Sequence, residues 1–380
     1  MRPIAVFVHL GKSPVTHLWK NLQRHADLFP EIETYVILDH LIHVKNIPDG
    51  INLYMFKRES QFLNEGTFNA HDQKFRSGFW RFSLERLFAL IEFHKEHPQR
   101  KILHIESDVL LLPNFPWDRL SNSEVPMWNN YNQDRDVSAL LYIPDYTRHL
   151  RLIKNIQAKL DENPKHTDMT VLAALREDDN VVCSLFPSLD PQLMDMKNMA
   201  NVSNSDLIEK VSTGNMFGNG VFDGAAIGMW LTGHDPRNRY GKLLLHDSSP
   251  LSSGDSLVDP RAVGYEMDEQ GHLYLVSKNT GTRVFLWNLH IHSKSLKLFS
   301  ECWEAELRRY VVLAQSTAEI PLFKASVLGE MFIQSVKERT FLRFVLGLPF
   351  VHKMRTRLSK VKRSIISRKI NNENRGAIDK

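Results

Sequence analysis

Residues 101–117, KILHIESDVLLLPNFPW, constrain the fold of this chain more than any other stretch. An apolar run, Ile102 to Ile105, meets three polar residues, Glu106, Ser107 and Asp108, and a second apolar run, Val109 to Leu112, leads into Pro113. A short apolar run bounded in this way reads as a buried strand. Two carboxylates at the end of a buried strand are costly unless a cation or hydrogen bonds compensate them. Residues i and i+2 of a strand point to the same side, so Glu106 and Asp108 can converge on one ion. Such oxygen ligands suit Mg²⁺ or Mn²⁺, which commonly share their coordination shell with substrate phosphates. The plainer alternative is a strand that ends in a polar turn with both carboxylates in water.

The rest of the chain is that of an ordinary folded protein. Its 380 residues, 42% hydrophobic and 24% charged, exclude wholesale disorder and allow one large or two modest domains. Two cysteines, Cys183 and Cys302, supply neither a disulfide framework nor a zinc-ligand pattern, and point to a reducing cytoplasm. The apolar N-terminal run stops at His9 and Lys12, too soon for a signal peptide. No uninterrupted apolar run reaches bilayer-spanning length. The net charge of +4 hides an asymmetry: residues 351–370 carry eight lysines and arginines and no acid, which leaves −4 on the remainder.

Ile4 to His9, Thr34 to Leu38 and Ile51 to Phe56 read as strands, with a helix begun by Thr16 and running through Leu18, Trp19, Leu22 and His25. Strands alternating with helices predict a parallel α/β sheet, whose ligands bind beyond the carboxyl ends of the strands. Asp39 lies at such an end. Residues 80–94 form an amphipathic helix carrying Arg81 and Arg86, with Arg76 just before it. Leu150 to Leu160 reads helical, and Thr167 or Asp168 caps a second helix through Leu175.

Two later stretches stand out. Residues 214–241 hold glycines 214, 218, 220, 224 and 228, with Asp223 placed just before a helix from Ala225 to Leu231; Gly233 ends that helix and Asp235 to Asn238 form a turn. Residues 284–294, VFLWNLHIHSK, read as one strand with Asn288, His290 and His292 on one face and Lys294 just beyond. From residue 299 onward the pattern is helical. Residues 340–370 join an apolar segment to the basic run, which suits an interfacial helix on an anionic membrane face. A solvated tail is the plain alternative, and no groove-reading motif favours nucleic acid.

Glu106-Ser107-Asp108 resembles the Asp-x-Asp motif of GT-A-fold glycosyltransferases, with glutamate in the first acidic position. The FDGAA-x-G and DPRN elements of residues 222–238 are similar to a segment of bacterial sugar transferases that build capsule, lipopolysaccharide or O-antigen. The resemblance spans residues 1–300 and implies an α/β, GT-A-like catalytic domain, Rossmann-like with a mixed central sheet flanked by helices. Residues 301–380 would be a helical, basic C-terminal extension. It implies a Mn²⁺ or Mg²⁺ held by Glu106, Asp108 and one of His290 or His292. It places Asp39, Arg81, Glu106 and Lys294 against a nucleotide-sugar donor. In an inverting enzyme a carboxylate deprotonates the acceptor hydroxyl, Asp223 being the first choice and Asp168 the second; a retaining enzyme needs neither as a base. The acceptor would be a glycan or lipid-linked oligosaccharide at the inner face of the plasma membrane, where the protein associates peripherally. A sugar-phosphate nucleotidyltransferase, or a non-catalytic membrane-associated binding subunit of the same fold, are the rival readings. The former should carry a Gly-rich loop with Arg and Pro after the first strand, where this chain reads GKSPVTH.

Overall fold

Strand β1 (Ile4–His9) is buried along its whole length and pairs in parallel with β2 (Thr34–Leu38), reached through helix α1 (Thr16–Leu28). β2 pairs in parallel with β3 (Asn52–Met55). Helix α2 (Phe79–Glu96) leads to β4 (Ile102–Ile105), which lies parallel to β1 on its other side. A turn then gives β5 (Val109–Leu111), a short helix α3 (Trp117–Leu120) and the hairpin β6 (Met127–Asn130) and β7 (Asp136–Ile143). β7 runs antiparallel to β4 and to β6. Helices α4 (Tyr146–Glu162) and α5 (Asp168–Arg176) precede β8 (Ser184–Phe186), parallel to β6. The seven strands lie in the order β3-β2-β1-β4-β7-β6-β8. This is the mixed central sheet flanked by helices that the sequence predicts.

After α6 (Ser205–Val211), β9 (Gly220–Val221) and α7 (Ala226–Thr232) come β10 (Val263–Met267), β11 (Leu273–Ser277) and β12 (Arg283–Leu286). They form a second sheet in the order β10-β11-β12-β9. β13 (Asn288–His290) leaves that sheet and pairs antiparallel with β5, and α8 (Trp303–Ala318) packs beside β10. The computed structural model describes residues 2–12, 15–57, 79–196, 205–212, 216–233, 256–293 and 295–318. All of them fall in one compact unit. Lys294, the turn at 235–238, the helical pattern beyond residue 320 and the basic run lie outside the described residues. The expected boundary at residue 300 precedes α8, whose Arg308 and Gln315 donate hydrogen bonds to the carbonyls of Met267 (3.1 Å) and Tyr265 (2.7 Å).

Three local expectations change. The strand expected over 284–294 is two strands in two sheets, switching at Trp287. The Trp287 N–H donates to Val221 at 3.0 Å and its carbonyl accepts from Leu112 at 3.0 Å, so one residue ties β9 to the end of β5. Its indole stacks on Phe285 (5.0 Å, 16°) and occupies the space a side chain on Gly220 would fill. Val15, not Thr16, is the N-cap of α1 and caps it with backbone alone. The helix expected from residue 299 begins at Trp303.

A buried polar knot fixes the β6–β7 hairpin, where the register shifts between Trp128 and Asn129. Arg176, at the end of α5, meets Asp136 at 2.6 Å, and Trp128 and Asn130 donate to the same carboxylate at 2.8 and 2.7 Å. A buried ion pair with its remaining hydrogen bonds satisfied ties α5 to the sheet at one defined register.

Several histidines are buried and neutral. His94 and His149 meet through Nδ1 atoms 3.0 Å apart, and His94 Nε2 lies 2.7 Å from the Arg100 carbonyl. A carbonyl only accepts, so His94 carries its proton on Nε2, and His149 donates from Nδ1. Burial depresses His94 to about 4, His25 and His104 to about 3, and His149 well below its ordinary value. These groups bind protons in the unfolded chain below about 6.5 but not in the folded one, so their stabilising effect is lost as pH falls from 6.5 toward 4. Asp136 and Asp168, pushed up by burial to about 6, act in the opposite sense over the same range. Asp223 and His290, both raised, add to that opposing sense, but each of these four depressed histidines forgoes a proton that the unfolded chain takes up across most of the range. The unfolding free energy from urea titration should therefore fall between pH 7 and pH 5 by about a few kcal/mol; a flat profile would refute neutral burial of these rings.

Candidate metal centre and active site

The centre forms where β4 ends. Glu106 leaves the strand with its N–H on the Ala139 carbonyl (3.0 Å) and its own carbonyl accepting from Val109 (3.0 Å), a turn that lets β5 begin. The two carboxylates therefore converge through a turn and not through strand alternation. β13 approaches from the other side, with His290 opposite Val109 and the Ile291 N–H on the Asp108 carbonyl at 2.7 Å. This pairing brings residue 290 to residues 106 and 108 across a long stretch of chain. His290 Nε2 lies 3.2 Å from Glu106 Oε2 and 3.5 Å from Asp108 Oδ1. Ligand atoms of Glu106, Asp108 and His290 all lie within 4.8 Å of one another.

The ring of His290 is oriented by its other nitrogen. Nδ1 lies 2.7 Å from the Gly224 carbonyl and must donate to it, which leaves Nε2 facing the two carboxylates. In the absence of a cation, burial opposes charge on His290, but Asp108 and Glu106 outweigh it and raise its pKa well above the ordinary value. The same space could hold either a proton on His290 or a cation that accepts its lone pair. Two carboxylate oxygens and one imidazole nitrogen, with a backbone carbonyl fixing the tautomer, fit Mn²⁺ or Mg²⁺.

A second charge cluster adjoins the first. Arg86, on α2, reaches Glu106 Oε1 at 2.6 Å, Asp168 Oδ2 at 3.2 Å and Ser138 Oγ at 2.9 Å with one nitrogen. Burial opposes ionisation of Glu106, yet Arg86 and His290 hold its carboxyl well below the usual range. Asp168 is the first residue of α5, after a capping box between Thr167 and Thr170. Burial pushes it up to about 6, with Arg86 opposing, Glu106 reinforcing and the nearby N–H groups of Asp168 and Met169 opposing more weakly; its Oδ1 is buried and makes no hydrogen bond of good geometry.

Asp223 is used differently. Its carboxylate accepts from Ile227 (3.0 Å) and Gly228 (2.8 Å) at the start of α7, and from the N–H of His290 (3.0 Å). Asn288 closes the junction, donating to the Asp223 carbonyl (2.8 Å) and accepting from its N–H (3.1 Å). A Cβ at Gly228 would collide with the His290 carbonyl, so only glycine lets α7 come this close to β13.

The structure thus brings Glu106, Asp108, His290, Asp168 and, through the backbone, Asp223 together. His292 follows the end of β13 and lies against His290 with ring centroids 4.1 Å apart and the rings tilted by 36°, outside the three-residue group. Asp39 accepts from the Gly11 N–H at 2.8 Å and so ties the end of β2 to the turn after β1. Arg81 pairs with Glu85 at 2.6 Å, and Lys294 lies outside the described residues. Arg86 is the helix α2 arginine that reaches the centre. A sequence signal distinguishes the two: Arg81 has an acid four residues on, whereas Arg86 has Leu90 there.

No family model matches the sequence, and neither does any curated protein. Among solved structures, LgtC, a galactosyltransferase in complex with donor and acceptor sugar analogs, is 12% identical, with a TM-score of 0.36 over 56% of this chain and 84% of that one. An active-site mutant of LgtC is 13% identical, with a TM-score of 0.34 over 56% of this chain and 85% of that one. The PaToxG glycosyltransferase is 13% identical, with a TM-score of 0.33 over 46% and 70%.

The two histidines give a direct test of the centre. If Glu106, Asp108 and His290 hold the ion, His290→Ala should weaken Mn²⁺ binding by at least about 10-fold in a calorimetric titration, and Asp108→Asn likewise, because each would remove a ligand. His292→Ala should stay within about 3-fold of the parent by the same reasoning. The reverse order for the two histidines would exclude His290 as the ligand.

Proposed function

We propose that this chain is a glycosyltransferase that moves a sugar from a nucleotide-sugar donor to a glycan or glycolipid acceptor with a divalent metal. The observation that carries the reading is the convergence of Glu106, Asp108 and His290 at the carboxyl end of β4, where ligands of open α/β sheets bind. These three residues would hold Mn²⁺ or Mg²⁺, which would supply Lewis-acid stabilisation of a nucleoside diphosphate leaving group.

The chain's own residues do the rest. Arg86 holds Glu106 and Asp168 in one geometry and neutralises part of their charge. If transfer inverts the sugar, Asp168 is the better base: its Oδ1 makes no hydrogen bond of good geometry and its pKa lies near 6, whereas the Asp223 oxygens already accept three backbone N–H groups. Asp223 then serves as the strut between α7 and β13. Asp39, through its bond to Gly11, shapes the turn after β1 on which the nucleoside would rest. Lys294 would meet the diphosphate.

The finer reading is synthesis of a bacterial surface polysaccharide at the inner membrane face. It is supported by the FDGAA-x-G and DPRN segment and by the basic run of residues 351–370. No helix among the described residues is long and apolar enough to cross a membrane, so attachment would be peripheral. Deleting residues 340–380 should abolish sedimentation with phosphatidylserine vesicles in low salt; unchanged sedimentation would leave the membrane reading without support.

For the activity itself, a thermal-shift screen of nucleotide-sugars should find a donor that stabilises the protein only with Mn²⁺, by several degrees at saturation. The Asp108→Ala variant should not respond, and an equal response would remove the metal from the mechanism. With that donor, Asp168→Asn should lower kcat by at least about 100-fold if it is the base, with donor-induced stabilisation retained.

A further inference from the structure

Among the described residues strand β5 has one strand partner, β13, and its other edge meets hydrogen-bond donors of a different kind. Helix α1 provides them. Its residues 17, 21 and 24 form one stripe, and the carbonyls of residues 107, 109 and 111, spaced by the strand period, face it. Asn21 Nδ2 donates to the Ser107 carbonyl at 3.2 Å and to the Val109 carbonyl at 2.7 Å. Arg24 Nη2 donates to the Leu111 carbonyl at 2.7 Å, and its guanidinium lies 4.2 Å over the ring of Trp303. His17 Nε2 lies 3.2 Å from Ser107 Oγ.

Asp108 sits between the two carbonyls that Asn21 holds. Its own carbonyl is held from the opposite side by the Ile291 N–H at 2.7 Å. Its backbone is therefore gripped in three successive peptide groups, two by one buried amide and one by β13. Asn21 is 1% exposed, so its amide is spent inside the protein. A leucine or alanine in the same helix position would fold as readily by propensity alone, so the amide has no use in forming α1 itself.

We propose that Asn21 is a positioning residue for the metal loop: α1 acts as a substitute edge strand, and its Asn21 amide fixes the backbone on both sides of Asp108 so that the carboxylate faces His290. This rests on the reading of Glu106, Asp108 and His290 as the metal centre. Loss of the amide frees the loop to rotate and scatters the Asp108 oxygen that must face the ion. Groups that orient ligands in this way commonly change metal affinity by 10- to 100-fold.

The test uses the full chain stripped of metal and titrated with Mn²⁺ alone, free ion being followed by its electron paramagnetic resonance signal. Asn21→Leu should raise the Kd on the order of 10-fold or more. Asn21→Ala is the second variant, should the larger side chain prevent folding. Leu22→Ala, on the same helix but in the apolar core, controls for lost stability and should stay within about 2-fold of the parent, since it touches no ligand. In turnover, the Asn21 variants should need more Mn²⁺ for half-maximal rate and recover a kcat within about 3-fold of the parent at saturating ion, as expected for a group that only positions a ligand. Parent-like Mn²⁺ affinity in a folded Asn21 variant, or equal losses in Leu22→Ala, would overturn the proposal. Failure of the parent to bind Mn²⁺ would instead overturn the metal-centre reading, and this inference with it.

Discussion

Two carboxylates held side by side in a largely water-free space repel one another and lose hydration, and neither effect is tolerable without positive charge close by. Glu106 and Asp108 are in that position, with Asp168 a short way off. The positive groups that answer them come from far away in the chain: Arg86 from α2 and His290 from β13. Neither could arrive unless α2 packed ahead of β4 and β13 paired with β5. The centre is therefore a condition that the long-range topology must satisfy. Charge that is only partly compensated by one arginine shared between two acids leaves room for a proton on His290 or for a divalent ion in its place.

The backbone around the centre is arranged to hold it still. β5 is sandwiched between β13 and the polar stripe of α1, so each of its edges is satisfied. β13 is in turn fixed by Asp223 and Asn288, which stitch it to the start of α7, and by Gly228, which permits the close approach. Trp287 sets where the chain leaves one sheet for the other. At the far end of α5, the Arg176–Asp136 pair fixes the helix whose first residue is Asp168. Rigid elements thus hold every charged group of the centre, which is what precise ligand placement requires.

Much of the fold could be read from local pattern. The apolar runs at Ile4, Thr34 and Ile102 and the amphipathic stretch of α2 became strands and a helix close to where periodicity places them. The acidic motif and the late histidines were visible because polar residues interrupt apolar strands there. What stayed hidden depends on partners distant in sequence. That residues 284–294 break into two strands follows from the seat of Trp287 over Gly220, which no local signal reveals. The choice between His290 and His292 follows from the register against β5. Asn21 looks like any helix-surface amide until the second edge of β5 is found opposite it. Arg86 was within reach, since it lacks the i,i+4 acid that occupies Arg81.

The two aspartates with bases' credentials show how environment divides labour between identical side chains. Asp223 and Asp168 are both buried and both stand at the start of a short helix, and burial raises the pKa of each. Asp223 accepts from three backbone N–H groups, including one across to β13, so protonating or moving it would loosen α7 and the His290 strand together. Its worth lies in staying charged and fixed. Asp168 has its helix capped by Thr167 instead, so its carboxylate lies near the N–H groups of residues 168 and 169 without serving as the cap. With one oxygen on a shared arginine and the other without a hydrogen bond of good geometry, it can change protonation without unravelling a helix or a strand. A group that must take up and release a proton during a reaction needs that freedom. The capping threonine one residue earlier, a feature of local sequence, is what supplies it.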